Sequence, residues 1–186
     1  MKDKFTLKAF DEGYRARSVY KLLFINKKYN IIKKNNNVLD LGAFPGSWMQ
    51  VCLDLGAKVI GVDEKQIISM TGGRFILGDV YEEKTLEKIY SHGKYDVILS
   101  DLAPKTTGIN NQILSLDLSI QAFEIAKKVL SRNGNFLCKV FQGSGFNEFL
   151  QDLRKSFIFV KSVKPEASKK KSNEMYILCM GYKRST

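Results

Sequence analysis

Five charged residues lie in or directly after short apolar runs of the kind that form buried strands. Four of them are acids and one is a lysine: Asp40, Asp63, Asp79, Asp101 and Lys139. Ligands of parallel α/β sheets bind at the carboxyl ends of the strands, so we expect these side chains to ring one crevice. Four carboxylates favour a cationic ligand over a pyrophosphate, which needs amide donors and positive potential.

A glycine-rich turn follows the first of these runs, in NVLDLGAFPGSWMQ at 37–50. It differs from the dinucleotide motif G-x-G-x-x-G because Ala-Phe-Pro separates Gly42 from Gly46. The two glycines let the backbone approach a ligand. Asp63 has the position that binds ribose hydroxyls, about twenty residues past the turn, and Asp79 could accept a hydrogen bond from an adenine amino group. S-adenosylmethionine has the ribose, adenine, ammonium and sulfonium that such a site would hold.

Apolar strand patterns alternate with helical patterns along most of the chain. Strands are predicted at 38–41, 58–63, 74–77, 95–101, 135–141, 157–163 and 174–182, and helices at 15–32, 47–55, 82–90, 116–130 and 145–154. This order predicts an α/β fold with a mostly parallel seven-stranded sheet and helices on both faces. The last two strands follow each other without a helix, which predicts an antiparallel edge strand. We expect one domain over 1–186, with a basic helical segment at 1–34 and a Rossmann-like core at 35–186.

The composition argues against several classes of protein. No run is long and apolar enough to span a bilayer, and the start MKDKFTLKAF differs from a secretory signal, so we expect no membrane contact. Cys52, Cys138 and Cys179 lie far apart in apolar runs and are predicted to be buried free thiols. The only histidine, His92, is predicted in a surface loop, and one histidine without a C-x-x-C pair gives no metal site.

The formal charge of +11 is concentrated at the two ends of the chain. Residues 1–34 have ten lysines and arginines against three acids, a net +7, and residues 161–186 have seven against two, a net +5. The residues between them have a net −1. One interpretation is general solubility, or a lysine-rich proteome. The other is that both ends fold to one face that binds a polyanion.

Five motifs together resemble the FtsJ/RrmJ-type RNA ribose 2′-O-methyltransferases, from about residue 3 to 183: RARSVYKL, DLGAFPGSWMQ, DVILSDLAPKTTG, FLCKVFQGSGF and KPEASKKKSNEMYIL. The resemblance implies a Rossmann-like, S-adenosylmethionine-dependent methyltransferase fold. It also implies a catalytic Lys-Asp-Lys-Glu tetrad at Lys21, Asp101, Lys139 and Glu174. The cofactor-binding positions that it implies, together with the first glycine of the turn, are Gly42, Gly46, Trp48, Asp63, Asp79 and Asp101.

Within that tetrad, Lys139 is interpreted as the base or as the group that orients the ribose hydroxyl. Asp101 would orient Lys139, Lys21 would be the neighbouring cation, and Glu174 would fix the geometry of the lysines. The sequence departs from the family where Phe44 replaces a small residue, and also at Ser47 and Lys105. The first two departures bear on cofactor affinity, and none of the three touches the tetrad.

The function predicted from these motifs is ribose 2′-O-methylation of a uridine in large-subunit ribosomal RNA, free or in a pre-ribosomal particle. Alternatives are a tRNA anticodon-loop or cap methyltransferase, a nicotinamide-dependent oxidoreductase, and an inactive RNA-binding or ribosome-assembly factor. RNA phosphates are predicted to bind Arg15, Arg17, Lys169, Lys170 and Lys171. We expect a monomer in the cytoplasm, or in an organelle or the nucleus of a eukaryote.

Overall fold

The computed structural model describes residues 4–104, 111–167 and 173–183. Helices and strands alternate through most of this part of the chain. Their bounds are α1 Lys4–Asp11, α2 Val19–Tyr29, β1 Asn37–Leu41, α3 Ser47–Asp54, β2 Lys58–Asp63, β3 Gly73–Leu77, α4 Glu83–Ser91, β4 Tyr95–Ser100, α5 Asn111–Val129, β5 Leu130–Phe141, α6 Phe146–Ser156, β6 Phe157–Val163 and β7 Glu174–Tyr182.

The seven strands form one sheet in the order β3-β2-β1-β4-β5-β7-β6. The first five strands in this order pair in parallel, whereas β7 pairs antiparallel with both β5 and β6. The predicted mostly parallel sheet with an antiparallel pair at one edge is therefore confirmed. Within that pair β7 is the reversed strand, and β6 is outermost.

Each face of the sheet has its own apolar core, because successive side chains of a strand point to opposite faces. Leu39 and Leu41 pack on one face with residues of α4, α5 and α6. Val38 packs on the other face with residues of α2 and α3, including Leu22 and Met49. Ala43 of the glycine turn before α3 belongs to this second core.

The N-terminal region differs from the prediction of one helix at 15–32. Helix α2 ends earlier because Asn30 is left-handed, with φ of 50°, and its N–H donates to the Asn26 carbonyl at 2.8 Å. Helix α1 was not predicted as a separate helix, although it lies in the segment 1–34 that was expected to be helical. Only Ala9 of that helix is buried.

Strand β5 begins earlier than the predicted 135–141. Leu130 pairs with Tyr95 and Asn135 with Val97, so residues 131–134 bulge out opposite one residue of β4. Asn133, with φ of 62°, and the glycine after it resemble a turn in sequence. Helix α5 also begins five residues before the predicted start. Its first turn was not predicted because the exposed Ile113 and Leu114 interrupt the apolar pattern of the helix.

All three cysteines are buried and free, as predicted. None of the helices in the described residues combines the length and the apolar content that a bilayer crossing requires.

Candidate active site

A crevice of about 810 Å³ lies at the carboxyl ends of β1, β2, β3 and β4. Of the predicted site residues, it is lined by Gly42, Asp63, Asp79, Asp101 and Lys139. Gly46 and Trp48 lie outside it. Trp48 is 2% exposed, and its indole N–H donates to the Ser18 carbonyl at 2.9 Å, so the tryptophan ties α3 to the start of α2.

The turn after β1 depends on glycine at Gly42. Its φ is 77°, and a β-carbon there would lie 2.8 Å from the backbone nitrogen of Leu102. Any side chain would therefore collide with the segment after β4. The amides of Gly42 and Ala43 both donate to the Val62 carbonyl, at 2.9 and 3.1 Å. These contacts bring the loops after β1, β2 and β4 together around the crevice.

Asp63, the last residue of β2, is oriented by two backbone amides. Its Oδ2 accepts the Phe44 N–H at 3.0 Å, and its Oδ1 accepts the Lys65 N–H at 2.9 Å. Asp79 Oδ1 accepts the Tyr81 N–H at 3.0 Å. Each carboxylate thus faces the crevice with lone pairs left for a ligand. The Phe44 ring also lines the crevice and is 48% exposed.

The four residues of the predicted tetrad form two ion pairs. Lys139 Nζ lies 3.1 Å from Asp101 Oδ1 and donates to the Asp101 main-chain carbonyl at 2.7 Å. Lys21 Nζ lies 2.6 Å from Glu174 Oε1. The side chain of Lys139 is only 6% exposed, and a buried ammonium is costly unless it is paired and hydrogen-bonded.

Tyr176 joins the two pairs, although it was not among the site residues predicted from the sequence. Its hydroxyl donates to Asp101 Oδ1 at 2.7 Å, and Lys21 Nζ lies over its ring at 5.6 Å from the centroid. The β5–β7 register places Tyr176 directly opposite Lys139. A signal was present in EMYIL, because Tyr176 is two residues after Glu174 and so shares its face of β7.

Asp101 and Tyr176 have pKa values shifted in opposite directions. Burial raises the pKa of Asp101, but Lys139, Lys21 and the Tyr176 hydrogen bond outweigh burial, and the net pKa lies below its usual value. Burial, followed by the negative charges of Asp101 and Glu174, raises the pKa of Tyr176 well above its usual value. At neutral pH Asp101 is therefore ionised and Tyr176 keeps the proton that it donates.

Asp40, which we expected to ring the crevice with the other acids, is not among the residues that line it. Strand alternation turns its side chain to the face of Val38, beneath α3. Its side chain is fully buried, and no described residue hydrogen-bonds to its carboxyl oxygens. Burial, then the charges of Asp101 and Asp63, raises its pKa well above the usual value, which favours the protonated, uncharged form of Asp40.

The two arginines predicted to bind RNA both donate to main-chain carbonyls. Arg15 Nη1 donates to Pro45 O at 3.2 Å and to Ile68 O at 2.8 Å, and Arg17 Nη2 donates to Ala167 O at 2.5 Å. These bonds tie the N-terminal segment to the loops around it. The RNA-binding role of both arginines stays a prediction. Lys169, Lys170 and Lys171 lie outside the described residues, and so does Lys105.

Comparison with known proteins identifies the family of the chain. The model of the FtsJ-like methyltransferases matches residues 14–182. The chain belongs to this family.

Several relatives match nearly the whole chain. The chain is 46% identical over 182 residues to ribosomal RNA large subunit methyltransferase E of Methanothrix thermoacetophila, covering 95% of this chain and 71% of the relative. It is 43% identical to the protein of that name in Archaeoglobus fulgidus, covering 95% and 94%. A Plasmodium falciparum crystal structure described as a ribosomal RNA methyltransferase matches with a TM-score of 0.81 at 29% identity, covering 92% of this chain and 100% of that chain.

Tyr176→Phe tests the link between the two ion pairs. The substitution keeps the ring and removes a hydrogen bond that lowers the Asp101 pKa. We expect this pKa to rise, so the acidic limb of the pH–rate profile of methyl transfer should move to higher pH. The matched control is Tyr182→Phe on the same strand, which should leave the profile in place. An unmoved acidic limb for Tyr176→Phe would show that the hydroxyl does not tune Asp101.

Asp40→Asn tests the uncharged buried acid. Because the folded-state pKa is raised, Asp40 keeps its proton at pH values where the unfolded chain has lost it. This group therefore lowers the free energy of unfolding as pH rises, by about 1.4 kcal/mol per pH unit between the unfolded and folded pKa values. The variant lacks that loss, so urea unfolding should show its stability relative to the parent increasing with pH. The exposed Asp54→Asn is the control, and a pH-independent difference for Asp40→Asn would contradict the assignment.

Proposed function

We propose that this chain transfers a methyl group from S-adenosylmethionine to the 2′-hydroxyl of a uridine ribose in large-subunit ribosomal RNA. The observation that carries the proposal is the position of Lys139. Its Nζ is held by two oxygens of Asp101 at the wall of the crevice. The names of the relatives support ribosomal RNA as the substrate.

The residues of the crevice fit the proposed cofactor. S-adenosylmethionine supplies an electrophilic methyl group on a sulfonium. A volume of about 810 Å³ is within the range of small-molecule sites, roughly 300–1,000 Å³. Asp63 would accept hydrogen bonds from the ribose hydroxyls with the lone pairs that the backbone amides leave, and Asp79 would accept from the adenine amino group. Several carboxylates beside the crevice also favour a cationic ligand.

Lys139 would act on the hydroxyl that attacks the methyl group. An ammonium has three N–H donors, and two of them point to Asp101 oxygens. The third direction is left for the ribose 2′-oxygen. A charged Lys139 would position this oxygen and stabilise the negative charge that develops on it. An uncharged Lys139 would take the proton as a general base.

Lys21 would provide positive charge beside the target ribose. Its ion pair with Glu174 is largely buried, with the two side chains 12% and 15% exposed. The pair holds the lysine over the Tyr176 ring, so its side chain has few alternative positions. We infer that Lys21 contacts the phosphate next to the target ribose, because a phosphodiester is the nearest anion that an RNA substrate brings.

The alternatives have less support. An inactive assembly factor has no use for a buried lysine held by two oxygens of one aspartate, because pairing does not repay the burial of charge by itself. A tRNA substrate has no support in the names of the relatives reported above. A nicotinamide-dependent oxidoreductase is inconsistent with membership of a methyltransferase family.

Lys139→Ala tests the catalytic role. We expect methyl transfer to fall at least about 100-fold, the lower end of the contribution of a positioned acid–base group, while S-adenosylmethionine affinity changes little. The measurement is transfer of labelled methyl from S-adenosylmethionine to large-subunit RNA, to pre-ribosomal particles and to tRNA. Lys161→Ala, an exposed strand lysine, is the control.

Lys139→Arg separates the two roles of the lysine, because arginine keeps the charge and cannot give up its proton. Partial activity favours the orienting cation, and a loss equal to that of Lys139→Ala favours the base. Near-normal turnover of Lys139→Ala at saturating RNA would contradict both roles of the lysine. Methyl transfer to tRNA alone would contradict ribosomal RNA as the substrate.

Asp63→Ala tests the cofactor. Losing hydrogen bonds to a charged acceptor costs about 1.5–3 kcal/mol each. Calorimetry should therefore show S-adenosylmethionine binding weakened by at least about tenfold, which is about 1.4 kcal/mol. Asp54→Ala, at the exposed end of α3, should bind normally. Unchanged affinity of Asp63→Ala would mean that this carboxylate only braces the amides of the loop.

A further inference from the structure

A second cavity, of about 290 Å³, opens at the amino ends of β1, β2, β3 and β4. It is at the opposite end of the sheet from the crevice. Four basic side chains line it, and we call them the basic pocket: Lys58, Arg74, His92 and Lys94. No carboxylate is among its described lining residues.

The charges of the basic pocket are mostly uncompensated. Within the part of the chain that the structure describes, neither Lys58 nor Arg74 has a side-chain hydrogen bond or ion pair. Lys94 Nζ donates to the Lys128 carbonyl at 2.5 Å, which leaves two of its N–H groups. The nearby Asp96 carboxylate accepts the Asn37 N–H at 2.8 Å. Cations gathered in a concave site raise the local positive potential.

His92 adds an oriented ring to this wall. Its Nδ1 lies 2.7 Å from the Lys88 carbonyl oxygen. A carbonyl can only accept a hydrogen bond, so Nδ1 carries a proton and donates it. Nε2 is then left for a ligand, as a donor when the ring is charged.

The crevice has the opposite charge. Its described lining residues include five acids and two lysines: Asp63, Glu64, Asp79, Asp101, Asp117, Lys65 and Lys139. Such a wall suits a cationic cofactor but repels RNA phosphates. Cations beyond this wall would therefore contribute to the electrostatic part of RNA affinity.

We propose that the basic pocket is a second phosphate-binding site, which holds the phosphodiester backbone of the RNA away from the methylated ribose. The inference rests on the proposed function only in taking RNA as the substrate. Strands β1 and β2 have five and six residues, so at about 3.3 Å per residue the two sites lie roughly 15–20 Å apart. A large folded RNA can contact both sites at once, whereas a short oligonucleotide can bind in the crevice without reaching the basic pocket.

The test uses His92, the only histidine of the chain, as a reporter. Its ring signals are followed by NMR in the full-length protein during titration with a folded fragment of large-subunit RNA, and separately with inorganic pyrophosphate. We expect a saturable shift with RNA at low salt. Lys58→Gln with Arg74→Gln should abolish this shift and reduce the slope of log affinity against log salt by about 1.4, for two phosphate contacts of about 0.7 each.

The matched control is Lys84→Gln with Arg132→Gln, which removes the same charges from exposed positions outside both cavities. It should keep the His92 shift and lose less of the slope. S-adenosylmethionine affinity and turnover at saturating RNA should be normal in both double variants. A failure of the methyl-transfer proposal would instead appear as absence of methyl transfer by the parent protein, so the two failures can be distinguished. Three results would each overturn the proposal. They are a His92 signal that RNA does not move, equal salt slopes for the two double variants, and a pyrophosphate-induced His92 shift that added RNA does not reverse.

Discussion

The burial of Lys139 is the constraint on which the active edge of the sheet depends. An ammonium that is 6% exposed needs acceptors on more than one side. Asp101 provides two, one from its side chain and one from its main chain. Both are in place because β4 and β5 are parallel neighbours, with Ser100 paired to Cys138. The register of the central strands thus fixes the direction in which the lysine points.

The reversed strand β7 explains how Glu174 and Tyr176 reach the same place. Parallel strands bring only their carboxyl ends to the crevice. Because β7 runs antiparallel to β5, it brings its amino end, which begins at Glu174. Tyr176 then lies opposite Lys139, and Glu174 faces Lys21 of α2. The antiparallel pair at the edge is therefore part of the site as well as of the sheet.

Much of this could be predicted from the sequence, because buried strands and the turns between them have strong local signals. Most strand bounds, and the approach of Lys139 to Asp101, follow from the alternation of elements and from the rule that ligands bind at carboxyl ends. What could not be predicted depends on partners distant in sequence. Nothing in the sequence distinguishes Arg15 from a solvent-exposed cation, yet its guanidinium donates to the carbonyls of Pro45 and Ile68. Asp40 pairs with Leu99, two residues before Asp101, so the two acids differ in position along the sheet: Asp40 lies inside β1, whereas Asp101 follows the end of β4.

Asp101 and Asp40 have pKa values shifted in opposite directions because they differ in partners. Asp101 has two lysines and a tyrosine hydroxyl, which outweigh its burial. Asp40 has no hydrogen-bonding partner in the described residues, and the charges of Asp101 and Asp63 act against its ionisation. The fold therefore stabilises negative charge where the cationic methyl donor would bind and suppresses it beneath α3. Since the same charge repels phosphates, cations beyond the crevice walls would contribute to RNA binding.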